Sequence, residues 1–449
     1  MGTFGIDLSS LTGTTGIDVN SLVSQLTYVA RAPERVWQSS QQGLQVQIDA
    51  LNGLNTGLSD LLTKVNNMKD ITGGLGAVLT TSSDSEVVDA TATAGAAIAT
   101  HVVIVNSLAA TSSYYTAPVA TGDTALNNGS FTIQVGSNAP TTITIDGTNN
   151  TLNKLAAAIN QAGLGITANV TTDVSGARLS LVANQSGAAS DINITADSSG
   201  LGFTKAAAGK DATLTVDGVP ITSASNTVNG VVPGVTFSLL AAAPGTQVTI
   251  GVTPDTDAAV QAVTDFVDSY NKLAQAMQKG FAVDPTSHTA GALVGDSSAD
   301  MLQQQLLDMT TYAVTGAGAF TTLRSLGITM NNDGTLTVDS KALQNAAASD
   351  YTNFKSFFQG TSGFASFFSK QLTQETDPTQ GIVSVDIKGL QASKDSLQDQ
   401  IDNFETFLIA QQQQWMKQYE QANIILQQLP QLQKQIESQL GTLSSSSSK

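Results

Sequence analysis

Near both ends of this chain apolar residues recur every seven positions, and that repeat limits the fold more than any other feature of the sequence. From Leu44 one row runs through Leu51, Leu58 and Val65, with Ile48 and Leu62 in an adjoining row. This spacing lays an apolar seam along a helix and calls for a second helix to cover it. Gly43, Gly53 and Gly57 interrupt the same stretch. Each weakens a helix by about 1 kcal/mol relative to Ala, so the helix depends on its partner. The C-terminal third offers one: Leu390, Leu397, Ile401, Phe404, Leu408 and Trp415 lie on one stripe, which Leu426, Leu429, Ile436 and Leu440 continue. Ahead of both, Asp18 or Asn20 can cap a helix carrying Leu22, Val23, Leu26 and Val29, which Pro33 interrupts. Gln411 to Gln414 and a Gln-rich surround supply little charge to fix a register. The C-terminal segment is therefore expected to order fully on assembly, and Ser444 to Ser448 to form a flexible tail.

Between about Gly73 and Val252 the composition turns to Thr, Val, Ala, Gly, Asn and Asp, in alternating runs bounded by turn residues. Val102-Val-Ile-Val105, Phe131-Thr-Ile-Gln-Val135, Thr142-Ile-Thr-Ile-Asp146, Arg178-Leu-Ser-Leu-Val182 and Thr213-Leu-Thr-Val-Asp217 predict strands, the last leading into an Asp-Gly turn at Gly218. One helix is expected among them, over Leu155 to Ile159 with Thr151 or Asn153 as its cap. After Pro254-Asp255 helical periodicity returns with Val260, Val263, Val267 and Tyr270 on one face. A hairpin follows, Ile328 to Met330 against Leu336 to Val338, and Ser340 is expected to cap the next helix.

The pattern predicts a multidomain α+β chain: terminal helices forming a coiled-coil leg, a helical domain near it, and two mainly β head domains, one inserted in the other. Expected boundaries are 1–43 for an N-terminal flexible helical leg, 44–72 for the coiled-coil helix, and 73–111 with 206–254 for one β head domain. The inserted β-rich domain is expected over 112–205, a helical domain with its hairpin over 255–388, and the C-terminal coiled-coil leg and tail over 389–449.

Charge narrows the partners. Lys plus Arg number 19 against 36 Asp plus Glu, a net charge of −17. Residues 71 to 255 hold only Lys154, Arg178, Lys205 and Lys210 as bases, so neither nucleic acid nor an anionic membrane surface is an expected partner. No apolar run approaches the ~20 residues that span a bilayer, and the N-terminal Met1-Gly-Thr-Phe-Gly-Ile-Asp7 lacks the basic and apolar regions of a Sec-type signal. With no cysteine in the chain, disulfides and thiolate chemistry are excluded.

Catalytic material is sparse. His101 and His288 fall in a strand start and in a loop, outside any metal-ligand spacing. Asp173, Asp191, Asp197, Asp211 and Asp217 read as turn residues rather than paired acids. Gly73-Gly-Leu-Gly76 lacks the flanking strand and helix of a phosphate cradle and reads as a hinge, and Asp333-Gly334 lacks the acidic set of a calcium loop. Phe354, Phe357, Phe358, Phe364, Phe367 and Phe368 form the densest aromatic cluster and are expected in a helical core. No catalytic residue, cofactor or metal is expected, and the chain is not expected to be an enzyme.

Gly16-Ile-Asp-Val-Asn-Ser-Leu-Val-Ser-Gln-Leu26 followed by Pro33-Glu34 and the heptad helix resembles the amino-terminal segment of the flagellar hook-associated capping family. His101 to Ala109 is similar to that family's strand before its inserted domain, and Thr151 to Asn160, Ile166 to Val170 and Arg178 to Val182 to an insertion module shared by several hook and filament proteins. Gly234 to Leu239, Val252 to Asp255, Phe266 to Asn271 and Gly327-Ile328 with Asp333-Gly-Thr-Leu336 resemble the carboxy-terminal cap region. The resemblance covers nearly the whole chain. It implies a ring of about five identical subunits at the distal tip of an extracellular flagellar filament, exported through the flagellar channel, that inserts and folds flagellin and prevents its loss. Flagellin, hook–filament junction proteins and an export chaperone are the implied partners. A junction protein, a flagellin-like subunit, or an adhesin binding host mucin or glycans through the β domains is the alternative. The surfaces expected to pack on assembly are Leu22, Val23 and Leu26, the row Leu44, Ile48, Leu51, Leu58, Leu62 and Val65, and Leu397, Ile401, Phe404, Leu408 and Trp415.

Overall fold

A computed structural model describes residues 12–13, 16–286 and 289–446. His288 and Ser447 to Lys449 lie outside them, as does the amino terminus through Leu11. Nine helices stand among the described residues: α1 (Val19–Ala30), α2 (Ala32–Lys69), α3 (Leu152–Gln161), α4 (Thr256–Phe281), α5 (Ser297–Thr310), α6 (Ser340–Ser349), α7 (Tyr351–Gln359), α8 (Phe364–Glu375) and α9 (Ile382–Ser446). The architecture is multidomain α+β.

Three separate apolar cores organise the chain. The first lies where α2 packs on α4 and α8, and its buried side chains run from Leu51 to Met68 and from Ala259 to Val383. Phe354, Phe357, Phe358, Phe364 and Phe368 are all fully buried there, edge-on or stacked with one another and with Phe266. Phe367 is half-buried and stacks on Tyr312. On α2 the buried apolar residues are Ile48, Leu51, Leu54, Leu58, Leu61, Val65 and Met68. The second row is thus Leu54, Leu61 and Met68, while Leu62 of the expected row is half-buried. Both rows keep the seven-residue spacing, and the second lies three positions after the first instead of four.

The second core lies between a five-stranded and a three-stranded sheet. The first has the order 219–223, 212–216, 99–107, 248–254, 78–82, and the second 227–232, 235–239, 88–92. All pairings are antiparallel. Val102 to Val105 sit in the central strand of the larger sheet. The Asp-Gly turn forms as expected, with positive φ at both Asp217 (51°) and Gly218 (81°) between the paired Val216 and Val219. The third core is built from residues 131 to 201, which the chain enters and leaves between the two segments of the second. In it α3, capped by Thr151 through Lys154 N–H (3.3 Å), buries Leu152, Leu155 and Ile159. Asn160 ties the helix to a strand by accepting from Ala168 N–H (2.7 Å) and donating to its carbonyl (2.8 Å).

Several expectations give way. α2 begins at Ala32, twelve residues before Leu44, because Pro33 occupies its first turn, where a missing N–H costs nothing. Asp339, not Ser340, caps α6, accepting from Lys341 and Ala342 N–H at 3.0 and 3.1 Å. The Gly73 to Gly76 segment is no hinge. Leu75 is fully buried, its carbonyl accepts from the Tyr351 hydroxyl (2.8 Å), and a Cβ added at Gly76 would fall 1.7 Å from the Ile71 carbonyl oxygen. Ser444 to Ser446, expected in a flexible tail, close α9 as helix.

Candidate assembly interface

The stalk forms where α9 runs antiparallel to α2 and then α1. Lys394 meets Gln45, Gln398 meets Gln41 at 3.1 Å, the Phe404 ring stands edge-on to Trp37 at 5.3 Å, and Glu405 meets Arg31. As α9 advances the opposing number falls, so Gly16–Ile17, also in contact with α9, marks the far end of the described pairing.

Asp18 supplies the cap of α1, accepting from Ser21 N–H at 3.2 Å. Of the residues expected to pack on assembly, Val23, Ile48, Leu51, Leu58, Val65, Ile401 and Leu408 are buried within this single chain. Leu22, Leu26, Leu44, Leu62, Leu397, Phe404 and Trp415 are half-buried. Leu51, Leu58 and Val65 belong to the helical core and offer no outward surface, because α4 and α8 cover the face that the heptad row presents.

Beyond that pairing the seam of α9 continues without a change of phase. Counting by seven from Trp415 gives Ala422, Leu429 and Ile436, with Ile425 and Leu432 in the second row. Ile424, Ile425, Leu426, Leu429, Leu432, Ile436 and Leu440 are between 42% and 61% exposed. Residues 423 to 446 extend about 36 Å at the helical rise. Contiguous exposed apolar surface of this kind is the mark of an interaction site, and it lies past the residues marked in advance at Leu397 to Trp415.

Elsewhere the geometry offers little for chemistry. His101 Nδ1 lies 2.7 Å from Asp217 Oδ2, and that hydrogen bond, with another from Val102 N–H, holds the Asp217 carboxyl below its ordinary value. A cleft of about 300 Å³ beside Asn331 to Gly334 is lined by Tyr270, Met277, Leu306 and Met330. Burial pushes the Tyr270 hydroxyl up to about 12 and keeps it neutral. Among the described residues no three His, Cys, Asp or Glu side chains gather as metal ligands, and no helix is long and apolar enough to cross a membrane.

Residues 15–112 match the family described as flagellar hook-associated protein 2 N-terminus, residues 209–431 its C-terminus, and residues 130–185 the flagellin hook IN motif. The B-type flagellar hook-associated protein 2 of Pseudomonas aeruginosa is 31% identical over 396 residues, 81% of this chain and 82% of that protein. The chain belongs to the flagellar hook-associated protein 2 family. The Escherichia coli flagellar hook-associated protein 2 is 27% identical over 453 residues, 94% of this chain and 96% of the relative. A crystal structure of the three-domain flagellar cap protein from Escherichia coli superposes with a TM-score of 0.61 at 26% identity, covering 76% of this chain and 99% of that one. Membership places the chain among structural components of the flagellum. The open α9 seam is an extended exposed apolar surface of such a component.

Proposed function

We propose that this chain caps the distal tip of the flagellar filament and promotes insertion and folding of exported flagellin, preventing its loss to the medium. The observation that carries the reading is the α9 seam, closed by α1 and α2 over one half and open over the other. A leg built this way is held to its own head at one end and presents unsatisfied heptads at the other, where helices of filament subunits can complete it. On this reading the first core, formed from segments 44–72 and 255–388, is the platform at the top of the leg. The second, from 73–111 and 206–254, and the inserted third, from 112–205, make the plate above it. A closed ring of about five copies would roof the folding space, with flagellin and hook–filament junction proteins as contacts, an export chaperone before assembly, and host mucin as a contact open to the outer head. The absence of cysteine suits export through the flagellar channel as an unfolded chain.

The test is a strain lacking the chain, imaged by negative stain while flagellin is assayed in the medium. Short or missing filaments with abundant free flagellin, restored by the purified chain, are expected. Normal filaments would remove the capping function.

A further inference from the structure

We infer that Arg31, at the break between α1 and α2, is the positioning residue of the stalk: by holding Glu34 of α2 and Glu405 of α9 together it sets the angle at which α1 lies along α9. The break itself is obligatory, because Pro33 has no N–H to continue the helical ladder from α1. Arg31 closes α1, its N–H bonding the Thr27 carbonyl (3.0 Å), and α2 starts at the next residue. A break leaves the direction of α1 open. The apolar contacts of α1, centred on buried Val19 and Val23, are non-directional and hold the helix down without fixing its angle.

The guanidinium supplies direction. Its two terminal nitrogens hold both carboxylate oxygens of Glu405, the Nη2–Oε2 distance being 2.8 Å, and Nη1 also donates to Glu34 Oε2 at 2.7 Å. This forked geometry tolerates little rotation. Glu34 is only 6% exposed, with Gln38 Nε2 on its other oxygen at 2.9 Å, so loss of Arg31 would leave a buried anion unpaired. No other ion pair joins α9 to α1 or α2 among the described residues. The charged groups at the joint are few: α1 carries none, α2 supplies Glu34 and Arg35, and α9 supplies Glu405. Arg35 faces away, donating to the Tyr28 carbonyl at 3.0 Å and covering that ring. The inference rests on the stalk geometry and holds whether or not the chain caps a filament.

Because the chain has no cysteine, spin labels can be placed at N20C and Q418C, on exposed positions of α1 and α9, and their separation read by pulsed dipolar spectroscopy on the full chain. A single narrow distribution is expected with Arg31 present. R31Q should broaden it at neutral pH and leave it broad near pH 4, about where unperturbed carboxylates protonate, because protonation relieves repulsion without replacing the fork. R31Q combined with E34Q and E405Q should stay broad at neutral pH, because removing the orphaned charges relieves their repulsion without restoring the fork that sets the angle. A narrow distribution for R31Q alone at neutral pH overturns the inference. So does a narrow one for the triple variant, since packing and not Arg31 would then set the angle. Unchanged thermal melting of the head confirms that each variant is folded.

Discussion

Replacing Leu58 by Ala tests whether the heptad row of α2 serves the chain's own core. Leu58 is fully buried, one turn from Leu54 and Leu61, in the core shared with α4 and α8. Truncation removes the transfer energy of the lost methyl and methylene groups and leaves a cavity whose walls are fixed on three sides, so the cost lies near the middle of the usual range, about 3 kcal/mol. For a domain of roughly 150 to 250 residues this lowers the melting temperature by about 6 to 12 °C. The two β cores share no buried residue with the first, so their transitions should hold to within about 0.5 kcal/mol. Differential scanning calorimetry of the full chain separates these components. Leu58→Asp should abolish the helical transition altogether, because a buried carboxylate there has no partner. A Leu58→Ala variant losing less than about 1 kcal/mol would show that the row is not held inside the chain and return it to the assembly surfaces.

Asp386 on α9 hydrogen-bonds Asp296, whose Oδ1 already caps α5 at 3.0 Å from Ser298 and Ala299 N–H and whose Oδ2 accepts from Gln47 at 3.1 Å. Burial, then the neighbouring Asp296, raises the Asp386 carboxyl above its ordinary value. A raised carboxyl stabilises the fold fully below the unfolded value of about 3.9 and loses that contribution as pH climbs through the folded value. Asp386→Asn should therefore melt higher than the parent at pH 7.5 and level with it near pH 3.5; equal melting at both would refute a shared proton. Thr151→Ala removes the cap of α3 and should cost about 1 kcal/mol, read as a lower urea midpoint of the inserted core with its slope unchanged. Deleting residues 424–449 should leave every thermal transition in place while abolishing rescue of filament growth; full rescue would show that the open seam is dispensable.

What the sequence could and could not disclose follows from the range of each interaction. The seam, the Phe cluster, the hairpin at 328–338 and the Asp-Gly turn were legible because short-range periodicity and turn chemistry fix them. The C-terminal helix was legible as one partner of α2 from its own apolar stripe, whereas α4 and α8, which cover the rest of that face, were not, since an apolar row does not say what else will cover it. Placing the second row four positions after the first found buried Ile48 but led to half-buried Leu62, whereas α4 and α8 cover the row three positions after it, Leu54, Leu61 and Met68. Asp339 was missed by one position because Ser340 is also a competent cap, and the hinge reading of Gly73 to Gly76 overlooked that glycine serves close approach as readily as freedom. Arg31 carries little sequence signal, because its partner Glu405 is 374 residues away. A basic residue two positions before a Pro that breaks a helix, with an acid three positions on, was the available hint.

The far half of α9 is where stability and use pull apart. Its seven exposed apolar residues gain little burial in the single chain, and Pro430 sits within the helix, where it costs about 3 kcal/mol. In proteins most helical stability comes from packing an apolar face, which this segment lacks within the single chain. The closed half has no such deficit, since Ile401 and Leu408 are buried and Arg31 anchors Glu405. A partner helix laid on Ile425, Leu429, Leu432 and Ile436 therefore supplies what this segment lacks, and its binding energy is spent partly on ordering the segment it meets. On the proposed reading, such a leg would grip weakly until a complementary helix arrives and release when that helix leaves.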